Sequence, residues 1–219
     1  MSLSSSPRLL KAGLVLMDPN SGQVQRVISL QYNPDNLSRS LQVQALSEGG
    51  DRSEALRIKG APVETFKLEA EIDATDQLEF PDRSGNAATV QNGIHPQLAA
   101  LETLVYPGSA ALQANNALAG SGALEIIPME APLTVFVWSK QRAVAVRVTE
   151  FSVTEEAFDP LLNPIRARVS LGLRVLSVDD LGFSHKGGSL FMSYLKNKEA
   201  LAGKSPSATL GALGVEGLS

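Results

Sequence analysis

The sequence contains no cysteine in 219 residues. Disulfides, thiolate nucleophiles and cysteine-ligated zinc sites are therefore excluded, and the fold must be held by packing alone. Aromatic residues make up only 5% of the chain, which predicts an aliphatic core and few residues for an aromatic ligand cage. The formal charge is −4, and an acidic chain without clustered Lys and Arg is a poor partner for nucleic acid or anionic lipid.

Long apolar runs are also missing. No stretch approaches the ~20 apolar residues of a membrane span, and Met1–Lys11 lacks the apolar segment of a signal peptide. We therefore expect a chain made in the cytoplasm that does not bind membranes as a monomer. No repeat of ~20 to 50 residues is visible, which argues against a solenoid or a propeller.

Most of the chain shows the two-residue alternation of half-buried β-strands. Thr65–Asp73 places Phe66, Leu68, Ala70 and Ile72 on one face, and Ile165–Leu176 alternates in the same way. Leu9–Met17 and Val24–Tyr32 flank turn residues 18–22, which predicts a hairpin. Further strands are predicted at Leu41–Ala45, Leu133–Trp138 and Ala143–Val153.

Helices are few. Pro96 begins and Pro107 ends a segment with an apolar stripe at Leu98, Leu101, Leu104 and Val105. Ser189–Ala202 predicts a short helix that must dock on its own domain or on a neighbour, because isolated helices of this length are marginal in water. Residues 109–120 are ambiguous.

The fold class that follows is mainly β (α+β), with one or two short helices and a C-terminal helix. We predict a β domain over 1–178, a linker and helix over 179–203, and a flexible tail over 204–219. Ser47–Gly60 and Asp76–Gly93 are predicted to be polar loops.

The search for catalytic or metal-binding residues yields no site. The two histidines, His95 and His185, have no metal-ligand spacing; we interpret His95 as a helix-entry residue and His185 as a solvated loop residue. Two acidic groups could bind a hard cation in principle, but neither has the spacing of a calcium loop. They are Glu71, Asp73 and Asp76, and Glu155, Glu156 and Asp159.

Other candidates for chemistry are weak. Ser139–Lys140 lacks a base partner, and Gly49–Gly50 and Gly187–Gly188 lack a strand-loop-helix phosphate fingerprint. We therefore predict no enzyme, no cofactor and no metal. The clearest charged feature is Arg166, Arg168 and Arg174 on one strand face, either paired with the face of Lys67–Asp73 or simply exposed.

The order of segments resembles the tube and baseplate-hub proteins of bacterial contractile injection systems, which are phage-tail-like particles. Leu30–Ser40 is similar to that family's aromatic-Asn-Pro-x-x-Leu-Ser motif. The similarity continues over about residues 9–177 in the following segments: Phe66–Asp73, His95–Pro96 with Leu98–Pro107, Pro132–Trp138, Glu150–Phe158 and Pro164–Ala167.

The resemblance implies a tube-type antiparallel β-barrel or sandwich. It also implies a structural subunit that forms a six-fold ring at the baseplate hub or first inner-tube ring, joining the spike to the tube. Its partners would be further copies and neighbouring tube and spike proteins, with baseplate wedge and sheath proteins as further candidates, in a particle kept inside the producer or released. Many members of that family continue into a C-terminal LysM domain. After Val178 the sequence predicts only a short helix and a flexible tail, so we expect no LysM domain here and take Ser189–Ala202 as the candidate replacement contact.

Two alternatives stay open. A main inner-tube subunit differs from a hub ring in copy number. A peptidoglycan- or carbohydrate-binding module would need an exposed aromatic platform built from Trp138, Tyr32, Tyr106 and Tyr194. For a ring subunit, we expect Ser47–Gly60 and Asp76–Gly93 to contact the rings above and below.

Overall fold

The computed structural model describes residues 9–45, 56–120 and 131–218. Seven strands form one antiparallel sheet in the order β2-β1-β5-β6-β7-β4-β3. The strands are β1 (Gly13–Met17), β2 (Val24–Ser29), β3 (Leu37–Gln42), β4 (Val63–Asp73), β5 (Leu133–Ser139), β6 (Arg142–Phe158) and β7 (Pro164–Val175). The helices are α1 (Thr75–Glu79), α2 (Ala87–Asn92), α3 (His95–Glu102), α4 (Ser109–Gly120), α5 (Val178–Leu181) and α6 (Lys186–Ala202), with a short 3-10 helix at Leu210–Leu213.

The predicted mainly β class is confirmed, and the sheet is held by its alternating strands. β4 and β7 pair along their length and bury one face of each strand, because their apolar residues fall on every second position. The first hairpin forms as predicted. The Asp18 carboxylate accepts hydrogen bonds from the backbone N–H of Asn20 and Ser21, and Gly22 takes a positive φ of 69°.

A side-chain amide links β2 to the end of β4, in addition to the backbone hydrogen bonds of the sheet. Gln31, just after β2, donates from Nε2 to the carbonyl of Asp73 at 2.7 Å and accepts from the N–H of Asp73 at 3.0 Å. Its side-chain amide therefore occupies the place of a peptide group at the end of β4. In the described residues β2 pairs only with β1 and β3 only with β4, so the backbone ladder does not close into a barrel.

The main core lies against β4, β6 and β7 and is covered by α3 and α6. Leu98 and Leu101 of α3 and Phe191 and Tyr194 of α6 are buried in it. A smaller cluster of Leu133, Val135 and Ala145 sits on the opposite face of β5 and β6, beneath partly buried leucines of α5 and α6. The C-terminal helix is thus docked on its own chain.

Several element predictions were wrong. Residues 76–93 are not one loop, because they contain most of α1 and all of α2. The strand expected at Leu41–Ala45 begins earlier, at Leu37, and Leu41 and Val43 are exposed rather than buried. Residues 46–55 of the predicted Ser47–Gly60 loop lie outside the described residues.

Other elements differ mainly in extent. The ambiguous segment 109–120 forms α4, which has no buried residue. β6 continues five residues past the predicted end at Val153, and α6 begins three residues before Ser189. The domain boundaries at 178 and 203 remain a prediction.

Candidate functional site

Both histidines have structural roles at helix starts. His95 is the first residue of α3, with Pro96 in the first turn, as the sequence predicts. His185 is not a solvated loop residue: its Nδ1 accepts a hydrogen bond from the N–H of Gly187 at 3.0 Å and caps α6.

Three members of the two acidic groups, Asp73, Glu156 and Asp159, make hydrogen bonds or ion pairs within the chain. Asp73 accepts from Arg166 Nε at 2.8 Å, and Glu156 lies 3.6 Å from Arg168 Nε. Asp159 organises the turn between β6 and β7, accepting from the N–H groups of Leu161 and Asn163 at 2.8 Å each. Across 9–45, 56–120 and 131–218, no group of three or more His, Cys, Asp or Glu side chains could hold a metal ion.

The glycine pair Gly187–Gly188 serves packing rather than phosphate binding. Both residues lie in the first turn of α6, and a β-carbon on Gly188 would come within 2.0 Å of the carbonyl oxygen of Gly182. Only glycine allows this close approach. Ser139 likewise accepts from the N–H of Gln141 in the β5–β6 turn, and Gly49–Gly50 lies outside the described residues.

The arginine stripe is paired within the chain. Arg166 reaches Asp73 across β4, Arg168 reaches Glu156 on β6, and Arg174 reaches Asp180 at 2.9 Å. The predicted pairing with the acidic face of β4 therefore holds for Arg166. Lys67 and Glu150 also pair at 2.9 Å, across Gly172, which lies between them in the sheet and has no side chain to separate them.

The pKa of Asp73 is held below its ordinary value of 3.8. Burial opposes ionisation, but hydrogen bonds from Thr75 and the Arg166 guanidinium outweigh it. The ionised carboxylate therefore stabilises the fold at pH values above 3.8, and this contribution is lost as the pH falls through the lower folded-state pKa.

Asp73→Asn should consequently lower the free energy of unfolding at neutral pH by about 1 kcal/mol or less, because Arg166 is partly exposed. Urea denaturation at neutral pH and at acid pH tests this: the difference from wild type should shrink in acid. Glu69→Gln, on the same strand and the same face, is the matched control with no expected change. An undiminished difference in acid would contradict the assignment.

The aromatic side chains do not form a binding platform. Of the four residues predicted for it, Tyr194 is buried, Trp138 is partly buried, and Tyr32 and Tyr106 are exposed. They line separate clefts of about 840 Å³ each, Tyr32 beside Lys67 and Glu69 and Tyr106 beside Val105 and Pro107. A sugar could stack on one ring in either cleft but not between two.

A smaller cavity of about 330 Å³ lies between β2, β4 and α3. It is lined by Ile28, Ile72 and Leu101 and by Gln97, whose Oε1 is buried without a hydrogen-bond partner among the described residues. A bound water would satisfy that oxygen.

The two edge strands are the most exposed regular elements of the sheet. β2 has one charged residue, Arg26, and exposed valines at positions 24 and 27; β3 has one charged residue, Arg39, and an exposed Leu41. Neither contains proline. Proteins that avoid edge-to-edge association protect such strands with lysine, proline or inward charges.

Two features, one exposed and one buried, could not be located from the periodicity of the sequence. The turn after β6 exposes Leu161 and Leu162. The sequence indicates this exposure only by placing two consecutive leucines in a turn. Glu64 is buried on the inward face of β4 and accepts from Tyr194 Oη at 2.8 Å and Lys198 Nζ at 2.9 Å. The sequence indicates this burial only by the spacing of Glu64, which lies on the same face of the strand as Phe66 and Leu68.

No protein-family model matches the sequence, and no curated protein matches it. Among solved structures, the tail of an empty gene transfer agent particle, refined with C6 symmetry, is 11% identical. That match covers 75% of this chain and 90% of the other with a TM-score of 0.30. The virion of a native gene transfer agent particle is 8% identical, covering 79% and 95%, with a TM-score of 0.28.

At these TM-scores the two likenesses carry no argument about fold or function. No helix within the described ranges is long and apolar enough to cross a membrane. Among the described residues, the two open sheet edges are the strongest candidate interaction surfaces.

Proposed function

We propose that this chain is a structural, non-enzymatic subunit of a phage-tail-like contractile injection particle. In this proposal it forms the ring at the baseplate hub or the first ring of the inner tube, and joins the spike to the tube. The observation that carries the proposal is the pair of open, nearly uncharged edge strands, β2 and β3, at opposite ends of one sheet. The segment similarity supplies the class of particle.

Two different open edges favour a ring over a two-fold dimer. If β3 of one copy pairs with β2 of the next, every copy uses both edges and the chain of contacts closes when the rotation permits. Ring closure would also cover strand edges that otherwise invite aggregation. Six copies is the number that the family resemblance implies.

The strand order fixes the geometry of such a contact. All neighbouring strands are antiparallel, and the sheet has an odd number of strands. β2 and β3 therefore run in the same direction within the sheet. Copies related by rotation about a ring axis would join through a parallel β3–β2 pair, whereas two-fold pairing of β2 with itself would be antiparallel.

The C-terminal helix enters this proposal as an internal brace. α6 buries Phe191 and Tyr194 in the core of its own chain, and Asn197 donates to the carbonyl of Gln141 at 3.1 Å. Its outward residues Ser189, Ser193 and Glu199 are polar. Any contact that α6 makes with a neighbouring subunit would use that polar face.

Lysine substitutions at the edges should block assembly without unfolding the chain. Val27→Lys on β2 and Leu41→Lys on β3 each place a charge on an exposed edge position, so we expect folded monomers that form no rings. Circular dichroism reports folding, and mass photometry with negative-stain electron microscopy reports rings.

Val90→Lys is the matched control, because Val90 is similarly exposed but lies on α2. It should assemble as wild type does. Rings of normal size from both edge variants would contradict the edge-pairing model.

Hub ring and main tube differ in copy number. Electron microscopy of the protein purified with the products of neighbouring genes should show one ring between spike and tube for a hub subunit. Many stacked layers of this chain would favour a main inner-tube subunit. A chain that stays monomeric alone and with those partners would overturn the proposal.

A further inference from the structure

The cavity of about 330 Å³ between β2, the end of β4 and α3 lies where the sheet does not close. Its volume is at the lower end of the range for small-molecule sites, roughly 300–1,000 Å³. Buried apolar side chains from the different elements line it, and the partly buried Ile28 adds to them. The buried ones are Leu30, Ala70, Ile72 and Leu101. The cavity is therefore large enough for a small ring system and has an apolar wall.

Water alone is a poor occupant of this cavity. A single water takes up about 30 Å³ of liquid volume and needs several polar partners. The side chains of Leu30, Ile72 and Leu101 offer none. One water would satisfy the orphaned Gln97 Oε1 but would leave most of the volume beside apolar groups. A mainly apolar molecule fits the wall better.

The buried Gln97 oxygen defines the polar group that such a molecule needs. Gln97 lies on α3 in the wall of the cavity, and its Oε1 has no hydrogen-bond partner among the described residues. An amide oxygen only accepts hydrogen bonds, so the ligand must supply an N–H or O–H group. A buried acceptor without a partner costs stability, which a ligand donor would restore. A carboxylate or phosphate at this point would be repelled by the oxygen.

Arg26, at the rim of the cavity on β2, favours an aromatic ligand over an aliphatic one. Arg26 is exposed and takes part in none of the ion pairs among the described residues. A guanidinium without a carboxylate partner can lie over the face of an aromatic ring. The chain makes this contact elsewhere, with the Arg83 guanidinium 3.8 Å from the centroid of the Phe80 ring.

We infer that this cavity binds a small neutral aromatic molecule that carries one N–H or O–H donor. The ring lies among Ile28, Ile72 and Leu101, the donor points to Gln97 Oε1, and Arg26 covers the open face of the ring. The site belongs to the folded monomer and goes beyond the proposed ring function. A chain that forms no ring would leave it intact, and a chain that binds no such molecule would leave the ring function intact.

Indole is the probe, because it is a compact neutral ring system with one N–H donor. Isothermal titration calorimetry on the full-length protein should show saturable binding with one site. Amide chemical-shift changes in NMR spectra should be confined to residues around the cavity, at 26–31, 70–72 and 97–101. Absence of saturable binding up to the solubility limit of indole would overturn the inference, as would shift changes centred elsewhere.

Gln97→Leu tests the hydrogen bond. Benzothiophene has nearly the shape of indole but a sulfur atom in place of the N–H, so both probes are titrated into both proteins. The preference for indole over benzothiophene should fall about five-fold in the variant, because one hydrogen bond to an otherwise unpaired acceptor is lost. The melting temperature should stay the same or rise, since a buried unpaired oxygen is removed.

Gln91→Leu is the matched control for this substitution. Gln91 is exposed on α2 and does not line the cavity. Its variant should keep the wild-type preference for indole. An equal preference in wild type and Gln97→Leu would overturn the assignment of Gln97 as the acceptor, and with it the polarity of the ligand.

Ala100→Leu tests the location by filling the cavity. Ala100 lies on α3 and lines the cavity, whereas its exposed neighbour Ala99 does not. Ala100→Leu should abolish binding of both probes, and Ala99→Leu should leave it unchanged. Circular dichroism reports folding, and Gln97→Leu still decides the case if Ala100→Leu does not fold. Undiminished binding by a folded Ala100→Leu protein would overturn the inference.

N-acetyltryptophanamide separates a free molecule from a side chain of another protein. It carries the indole ring on a peptide backbone, which the rim between β2 and α3 should exclude. Weaker binding than that of indole supports a free small molecule. Tighter binding would make the occupant an aromatic side chain of a partner protein and would overturn the inference as stated.

Discussion

Phe66→Ala should destabilise the protein by about 3–5 kcal/mol, the largest effect expected of any single truncation in this chain. Phe66 is fully buried, and its ring centroid lies 5.5 Å from that of Phe136. The Arg142 guanidinium lies 5.4 Å from the same ring. Removing the ring leaves a cavity beside Phe136 in the centre of the core.

The loss of stability in Phe66→Ala should lie at the upper end of this range, because the surrounding structure can close the cavity only in part. β4 is paired on both sides, with β3 and with β7, so its backbone cannot move inward without breaking a ladder. Urea denaturation followed by circular dichroism measures the loss. Phe80→Ala is the control, because Phe80 is exposed beside Arg83, and it should cost less than about 1 kcal/mol. A similar loss from both variants would contradict the packing described for Phe66.

The strands of the sheet centre were predictable because each has one buried and one wet face. In β4 and β7 the two-residue alternation coincides with burial at nearly every position. The start of α3 was predictable from Pro96 for a local reason, since proline fits the first turn of a helix. Both signals lie within a few residues of sequence.

The edge strand β3 was misplaced because that signal is absent there. Most of its residues are exposed on both faces, and when neither face is buried the hydrophobic pattern does not define strand limits. Leu41 and Val43 alternate with polar residues, yet both are exposed. Exposure on both faces thus hid the limits of β3 in the sequence, and the same exposure leaves this edge available for pairing.

The helices α1 and α2 were missed because polar bonds between distant residues hold them. Thr89 donates its hydroxyl hydrogen to Gln77 Oε1 at 2.8 Å, and Asn86 donates to the carbonyls of Gln77 and Phe80. Neither helix has an apolar stripe long enough to recognise. Periodicity therefore predicts the centre of this fold well, and its ends and surfaces poorly.

The charged surfaces were predictable only in part. The sequence predicts that the arginine face of β7 pairs with the acidic face of β4, and this holds for Arg166 and Asp73. It does not show that Arg168 pairs with Glu156 on β6 or that Arg174 pairs with Asp180. These ion pairs depend on which strands are neighbours in the sheet, and the sequence alone does not show the strand order.

Glu64→Ala should cost about 2–3 kcal/mol and should loosen the C-terminal helix first. The Glu64 side chain is only 3% exposed; it accepts from Tyr194 Oη and Lys198 Nζ, and Arg39 Nε lies 3.8 Å away. Without the carboxylate, the buried Tyr194 hydroxyl loses its acceptor. Lys198 can turn into solvent because its side chain is 34% exposed, so the cost stays below that of a fully buried broken pair.

A double-mutant cycle with Tyr194→Phe measures how far this carboxylate fastens α6 to β4. We expect a coupling energy of about 1–2 kcal/mol, because the two side chains share one buried hydrogen bond. Hydrogen exchange should show faster exchange in α6 than in β4, and Glu199→Ala, exposed on the same helix, should change neither quantity. Additive effects in the cycle would show that α6 is held by Phe191 and its apolar neighbours alone. A coupling of that size would make Glu64 the link through which α6 braces the start of β4.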